Sequence, residues 1–204
     1  MIKKYLSILF LFLALSAKAQ DASLLENFDK IPLSAKQSDV ESFMSKFPGF
    51  NQSKITDAWA EIEYLGIEYK GPKDEDIILL FYNSVLYQKQ LIVYYPLLDQ
   101  NVAKDAYLNF KKHINTTNKI AESSEEAISD QVYGSQIGEI TSYYIDKSSK
   151  IYQKREAAFS AKLDAGYDDI AKKPTAKLAG YKVIYKATDL SKTALDAVEG
   201  FKSY

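Results

Sequence analysis

Residues 79–96 read LLFYNSVLYQKQLIVYYP, the most apolar and aromatic stretch of the chain after residue 19. Asn83-Ser84 interrupts the stretch once, and Gln88-Lys89-Gln90 interrupts it again. It therefore lacks the run of roughly 18 apolar residues that a membrane-spanning helix needs. Asparagine tolerates the left-handed backbone of tight turns, and β-branched and aromatic residues lie on both sides of it. The stretch predicts a β-hairpin, turning at Asn83-Ser84, that forms the spine of a sheet.

A helix and a strand are predicted ahead of this hairpin. The helix begins at a capping box formed by Ser38 and Glu41, continues through apolar residues at helical spacing, and ends at Pro48. The strand covers residues 58–70, where the sequence AWAEIEYLGIEYKG alternates between apolar and polar side chains. The segment before the helix, residues 22–37, is predicted to be an N-terminal arm.

A second helix, a loop and a second hairpin are predicted after Pro96. The helix starts near Asp99, because apolar side chains recur at close to helical spacing through Ile114. The polar residues 122–138 predict a loop, and 139–163 predict the hairpin, although its alanine-rich half is also compatible with a helix. Residues 178–188 predict a last strand and 189–204 a closing helix.

These elements indicate an α+β fold in a single domain. We expect an antiparallel sheet of about five or six strands, built on two hairpins and covered on one face by helices. No linker rich in Pro, Gly or Ser divides residues 20–204, so the sequence predicts one domain over that range.

The first 19 residues have the pattern of a secretory signal peptide. Lys3 and Lys4 precede an apolar run over residues 5–15, and Ala17-Lys18-Ala19 supplies the small residues that signal peptidase recognises. The apolar run is too short to cross about 30 Å of hydrocarbon. We therefore expect export to the periplasm or the cell exterior, with cleavage after Ala19 and no transmembrane segment afterwards.

Composition argues against several classes of function. Without Lys3, Lys4 and Lys18, the chain keeps 23 of its 26 basic residues against 27 acidic ones, a net charge of −4. Such a chain offers no general attraction for nucleic acid. With one histidine and no cysteine it lacks the usual ligands of zinc, copper, haem and iron–sulfur centres. We expect no metal and no cofactor.

One catalytic hypothesis rests on paired carboxylates. Glu61 and Glu63 share the parity of Trp59 on the predicted strand, so the three side chains would lie on one face. Two carboxylates beside an indole are typical of sugar hydrolysis. The only histidine, His113, lies near the end of a predicted helix, where its cation would interact with the helix dipole.

Tyrosine is the most conspicuous component, with 16 residues in the chain. A tyrosine has a large apolar body and a polar tip, which suits half-buried sheet positions and recognition surfaces alike. Adjacent tyrosines on a strand place one ring on each side of the sheet. The candidate ligand-binding residues are Tyr87, Tyr94, Tyr95, Tyr143 and Tyr144.

The leading functional hypothesis is therefore a non-catalytic binding or interaction module that uses a tyrosine-rich sheet face. Its partner would be a glycan, a peptide or an envelope protein. Two alternatives stay open: a cofactor-free carbohydrate-active hydrolase using Glu61 and Glu63, and a structural envelope protein.

Overall fold

A computed structural model describes residues 24–58, 64–129, 136–147, 150–168 and 173–190. The predicted signal peptide, Glu61, Glu63 and the predicted closing helix after residue 190 lie outside these ranges. Among the described residues, no helix combines the length and the apolar character needed to cross a bilayer.

The strands form one open antiparallel sheet of eight strands, in the order β1-β2-β3-β4-β8-β7-β6-β5. The first four strands form a meander, and the last four form a second meander that joins the first where β4 pairs with β8. The strands are β1 Asn51–Ala58, β2 Tyr64–Lys70, β3 Glu75–Tyr82, β4 Val85–Pro96, β5 Ile120–Ser129, β6 Gln136–Lys147, β7 Lys150–Asp168 and β8 Lys173–Asp189.

Three helical segments accompany the sheet within the described ranges. They are α1 at residues 24–29, α2 Gln37–Met44 and α3 Gln100–Thr117, which follows the short 3-10 turn Leu97–Asp99. Helix α3 packs on β8, β7 and β4, and α2 packs on β4. These helices therefore lie over the middle of a wide sheet.

The α+β class is confirmed, but the prediction of five or six strands covered on one face by helices was wrong. The sheet has eight strands and is open. The strands that the sequence did not reveal are β1 and β5, which form the two edges. Residues 120–129 were expected to be mostly loop, because edge strands exposed to water do not show the apolar alternation of a half-buried strand.

The predicted central hairpin is confirmed. Strands β3 and β4 pair antiparallel and are joined at Asn83 and Ser84, whose φ angles are 49° and 59°. Two successive residues with positive φ are typical of the type I′ turn, whose twist matches that of the paired strands.

The two predicted helices exist, although the start of the first differs. Helix α2 begins at Gln37, and its N-cap, Lys36, makes no side-chain capping bond. The predicted capping box was therefore wrong. The backbone of Lys36 instead pairs with Val85 at the start of β4. In α3, Phe110 and Ile114 are buried, whereas Val102 is 54% exposed.

The core lies between the helices and one face of the sheet, which we call the helix-bearing face. All three described helices contact this face. Its strands supply aliphatic and aromatic side chains, and the helices supply Phe28, Val40, Met44, Phe110 and Ile114. Tyr185 of β8 is central, because its ring lies 5.4 Å from that of Phe28 and 5.8 Å from that of Phe110. The opposite side of the sheet, the open face, carries none of the three helices.

Candidate functional site

A buried lysine lies at the end of α1. Lys89 of β4 is 1% exposed, and its Nζ donates hydrogen bonds to the carbonyls of Phe28, Asp29 and Ile31 at 2.8, 3.1 and 2.6 Å. The last carbonyls of a helix lack partners within the helix, so an ammonium group satisfies them and interacts favourably with the negative end of the helix dipole. Lys89 thus fixes the end of α1 onto the sheet.

Asp29 connects the same end of α1 to three further elements. One carboxylate oxygen accepts hydrogen bonds from Arg155 Nη1 at 3.0 Å and from the Tyr185 hydroxyl at 2.9 Å. The other oxygen lies 2.7 Å from His113 Nε2 on α3. The cluster of Asp29, Lys89, His113, Arg155 and Tyr185, which we call the polar cluster, therefore contains the chain's only histidine.

The pKa values of this cluster follow from burial and charge. Burial raises the pKa of the Asp29 carboxyl, but the hydrogen bond with His113 and the charge of Arg155 outweigh it, so that pKa lies below its usual value. Burial, helped by repulsion from Arg155, lowers the pKa of Lys89 to about 7. Burial raises the pKa of Tyr185 well above its usual value.

The polar cluster is an anchor for the N-terminal segment. Beyond α1, Ser34 donates a hydrogen bond to Asp189 at the end of β8, and the backbone of residues 34–37 pairs with residues 84–86. His113 was expected to serve the end of α3 through the helix dipole. Its side chain instead bonds to Asp29, a contact between residues 84 positions apart in sequence.

The open face has a regular pattern of side chains, because residues directly opposite in antiparallel strands point to the same side. Its middle row is apolar and runs across four strands: Ile92, Ile184, Ala158 and Ile140. On one side of this row lies a row made of Tyr94, Lys182, Ser160 and Gly138. On the other side lie two rows, made of Gln90, Lys186, Glu156 and Ser142, and of Gln88, Thr188, Lys154 and Tyr144.

A lysine lies over each of two tyrosine rings on this face. The Nζ of Lys162 is 5.4 Å from the centre of the Tyr94 ring, and that of Lys154 is 5.7 Å from the centre of the Tyr144 ring. Both tyrosines are half-buried. An ammonium over an aromatic face is attracted to the negative face of the ring.

Glu156 lies between two lysines in the middle of the open face. Its carboxylate oxygens are 2.8 Å from Lys154 Nζ and 2.5 Å from Lys186 Nζ, and its side chain is 6% exposed. Burial raises the pKa of this carboxyl, but the two lysines outweigh it, so the pKa lies below its usual value. Glu156 therefore holds both ammonium groups in fixed positions.

The predicted tyrosines divide between the two faces. Tyr94 and Tyr144 lie on the open face, whereas Tyr95 and Tyr143 lie on the helix-bearing face, opposite Tyr181 and Arg155 respectively. Tyr87 is half-buried where the pairing of β3 and β4 shifts register. The structure thus does not bring the five residues together into one platform.

The lysines of the open face were missed by sequence reasoning. The sequence does contain a pattern that indicates them, because every second residue of a strand lies on one face. On β8 these residues include Lys182, Ile184 and Lys186, and on β7 they include Lys154, Glu156 and Ala158. Among the described residues, no three side chains of histidine, aspartate or glutamate lie close enough to hold a metal ion.

Comparison of the chain with models of protein families, with characterised proteins and with solved structures finds no match.

Proposed function

We propose that this protein is an exported, non-catalytic binding module whose open face binds an extended carbohydrate chain. The observation that carries the proposal is the pair of half-buried tyrosines, each with a lysine over its ring, at opposite corners of an apolar row. Export itself rests on the signal-peptide pattern of the first 19 residues.

The chemistry of the open face favours a sugar ligand. Sugars present both apolar C–H surfaces and many hydroxyl groups. In the row from Ile92 to Ile140, Ile184 and Ile140 are half-buried and offer a shallow apolar floor, whereas Ile92 and Ala158 are buried. Beside it lie half-buried amide and hydroxyl groups that can exchange hydrogen bonds with sugar hydroxyls, namely those of Gln88, Gln90 and Thr188.

The polar cluster favours a structural role over a catalytic one. Both Asp29 oxygens and the Lys89 ammonium are engaged in hydrogen bonds that join α1 to the sheet and to α3. A general acid or base must instead be within reach of a substrate proton. The shifted pKa values of this cluster therefore follow from its role in anchoring α1.

Thermal unfolding of the purified protein against a panel of oligosaccharides tests the proposal. A ligand at about 100 times its dissociation constant stabilises the native state by about 2.7 kcal/mol, which raises the melting temperature by roughly 5–10 °C for a chain of this length. The double variant Tyr94→Ala, Tyr144→Ala is expected to lose the shift. Leu108→Ala, a truncation on the exposed surface of α3, is the matched control and should keep it.

A melting temperature that no oligosaccharide raises would count against the open face as a carbohydrate site. So would a shift that the double tyrosine variant retains in full while its unliganded melting curve stays cooperative.

A further inference from the structure

Strand β5 is one of the two edges of the sheet, and its backbone is open for pairing. Among the described strands it pairs only with β6, so about half of its N–H and C=O groups face away from the sheet. Its pairing with β6 is regular from Glu122 to Ile128. An edge of this kind can accept a further extended strand, which gains main-chain hydrogen bonds by adding to the sheet.

The two edges of the sheet differ in the features that normally prevent such pairing. Proteins protect an edge strand with lysine, proline or a bulge. Strand β1 contains Lys54, and its register shifts between Gln52 and Lys54. Residues 120–129 contain no lysine, arginine, proline or glycine, and the register of β5 shifts only at its two ends. Of the two edges, β5 is therefore the one that is better able to accept a strand.

The side chains of β5 give this edge a negative charge. Glu122 and Glu126 are exposed on the open face, whereas Glu125 lies on the helix-bearing face and pairs with Lys111. In the part of the chain that the structure describes, neither Glu122 nor Glu126 forms an ion pair. Lys154 lies across β6, on β7. Two carboxylates at this edge are therefore available to a basic partner.

A second copy of the chain is disfavoured at this edge by the same glutamates. Residues directly opposite in an antiparallel pair share a face, so two β5 strands can overlap along nearly their full length in only two registers. One register places Glu122 of each copy opposite Glu126 of the other. The other register places the two Glu125 residues opposite each other. Like charges directly opposite are destabilising, so the edge favours a strand of opposite charge.

We propose that the β5 edge binds an extended basic segment of a partner polypeptide, which adds to the eight-stranded sheet. Two basic residues four positions apart in that segment would lie opposite Glu122 and Glu126. Its other residues on the same face would meet Ser124 and Ile128, which are half-buried and suit small or apolar side chains. The edge lies outside the rows proposed to bind carbohydrate, so this inference does not rest on that function.

Two matched peptides test the proposal on the purified protein. One is a decapeptide that alternates threonine with valine or lysine and has its two lysines four positions apart. The other has glutamate in place of both lysines. Calorimetric titration is expected to show binding of the lysine peptide that weakens as salt is raised, because salt screens exposed charges. The glutamate peptide should bind at least about tenfold more weakly, because like charges would lie opposite each other.

Hydrogen exchange identifies the strand to which the peptide adds. At about ten times its dissociation constant, the lysine peptide should slow the exchange of β5 amides between residues 122 and 128 by about tenfold. Exchange of β1 amides, at the opposite edge of the sheet, should stay unchanged. Binding without slower exchange in β5 would mean that the peptide binds elsewhere, which overturns the proposal.

Charge reversal supplies the second readout and its control. The double variant Glu122→Lys, Glu126→Lys should bind the lysine peptide at least about tenfold more weakly and should bind the glutamate peptide instead. The gain of the second peptide shows that the variant is folded. The same substitutions at Glu26 and Glu41, which are exposed on α1 and α2, should leave both affinities within about twofold.

Three further results would overturn the proposal. Equal binding of the two peptides, or equal binding of the lysine peptide by the parent and the double variant, overturns the match of charge. The absence of binding by the lysine peptide overturns the edge as a site for a basic segment. Exchange of β5 amides that is already slow in the free protein, and becomes faster on dilution, assigns the edge to a second copy of the chain.

Discussion

A buried lysine side chain is one of the contacts that hold the N-terminal segment on the sheet. A buried ammonium group is costly unless it is hydrogen-bonded, and Lys89 compensates with three carbonyl acceptors at the end of α1. The arrangement solves two problems together, because the helix carbonyls also need donors. One residue of β4 therefore shares the positioning of α1 with the bonds of Asp29 to α3, β7 and β8.

Replacing Lys89 by methionine keeps most of the side-chain length and removes the donors. We expect Lys89→Met to reduce the free energy of unfolding by about 2–3 kcal/mol, because three carbonyls lose a donor while the relief of the buried charge offsets part of that loss. Chemical denaturation measures the change. Lys112→Met on α3, which is exposed, is the control and should change stability by less than about 0.5 kcal/mol. A Lys89→Met protein as stable as the parent would contradict the anchoring role.

Lys89 also gives stability a dependence on pH. Its pKa is about 7 in the folded protein against an ordinary 10.5, so between these values the unfolded chain binds more protons than the native one. Stability therefore rises with pH in this window. We expect the free energy of unfolding to increase by about 2 kcal/mol between pH 7 and pH 9, and the increase to be absent from Lys89→Met. Urea denaturation at several pH values measures it, and parallel curves for the two proteins would refute the assignment.

At the scale of single elements, close approach between β6 and β7 restricts what residue 138 can be. A Cβ atom on Gly138 would lie 2.1 Å from the carbonyl oxygen of Phe159. That oxygen belongs to the backbone of a neighbouring strand, so the strands would have to separate locally.

We expect Gly138→Ala to destabilise the protein by about 1–3 kcal/mol. Gly166→Ala is a suitable control, because there the one close contact of the Cβ would be with the Thr175 side chain, at 2.9 Å, and a rotamer change can relieve it. Thermal unfolding compares the two variants. Equal melting temperatures would mean that the strands adjust to Gly138→Ala without cost.

The sequence predicted the elements that pack against a core and missed those that do not. The hairpin at Asn83-Ser84, helix α3 and strand β8 were recognisable because half-buried elements carry a periodic apolar pattern. Strand β5 has the sequence IAESSEEAIS, which alternates poorly because most of its side chains face water. Pairing with β6 creates this strand, and pairing partners are not visible in a single local sequence.

The candidate site was predictable only in part, for the same reason. Tyr94 and Tyr144 could be proposed from their residue type, but the assignment of each to a face depends on register along four strands. The polar cluster was not predictable, because Asp29 and Arg155 are 126 positions apart in sequence. Only the fold brings these residues together.

At the scale of the whole molecule, the topology has an internal regularity. Helix α2 precedes the first four strands and α3 precedes the second four, and the strand order is the same when read inward from either edge. The two halves meet at the pair β4 and β8, which lies in the middle of the sheet. The centre of the molecule therefore depends on contacts between the two halves, and the edges depend on local pairing alone.

This layout predicts a gradient of local stability across the sheet. Strands β4 and β8 have partners on both sides and supply buried residues such as Leu91 and Val183, so their amides should exchange only through global unfolding. Strands β1 and β5 have a partner on one side and mostly exposed side chains, so their amides should exchange through local opening.

Native-state hydrogen exchange followed by NMR measures this gradient. We expect protection factors in β4 and β8 to exceed those in β1 and β5 by about two orders of magnitude or more, which corresponds to a difference of roughly 3 kcal/mol in opening free energy. Slow exchange in β5 equal to that in β8 would contradict the prediction. It would mean that a further strand pairs with the β5 edge in solution. Dilution of the sample would then identify that strand. Protection of β5 that falls on dilution would indicate a second copy of the chain, and protection that does not change would indicate a segment of the same chain.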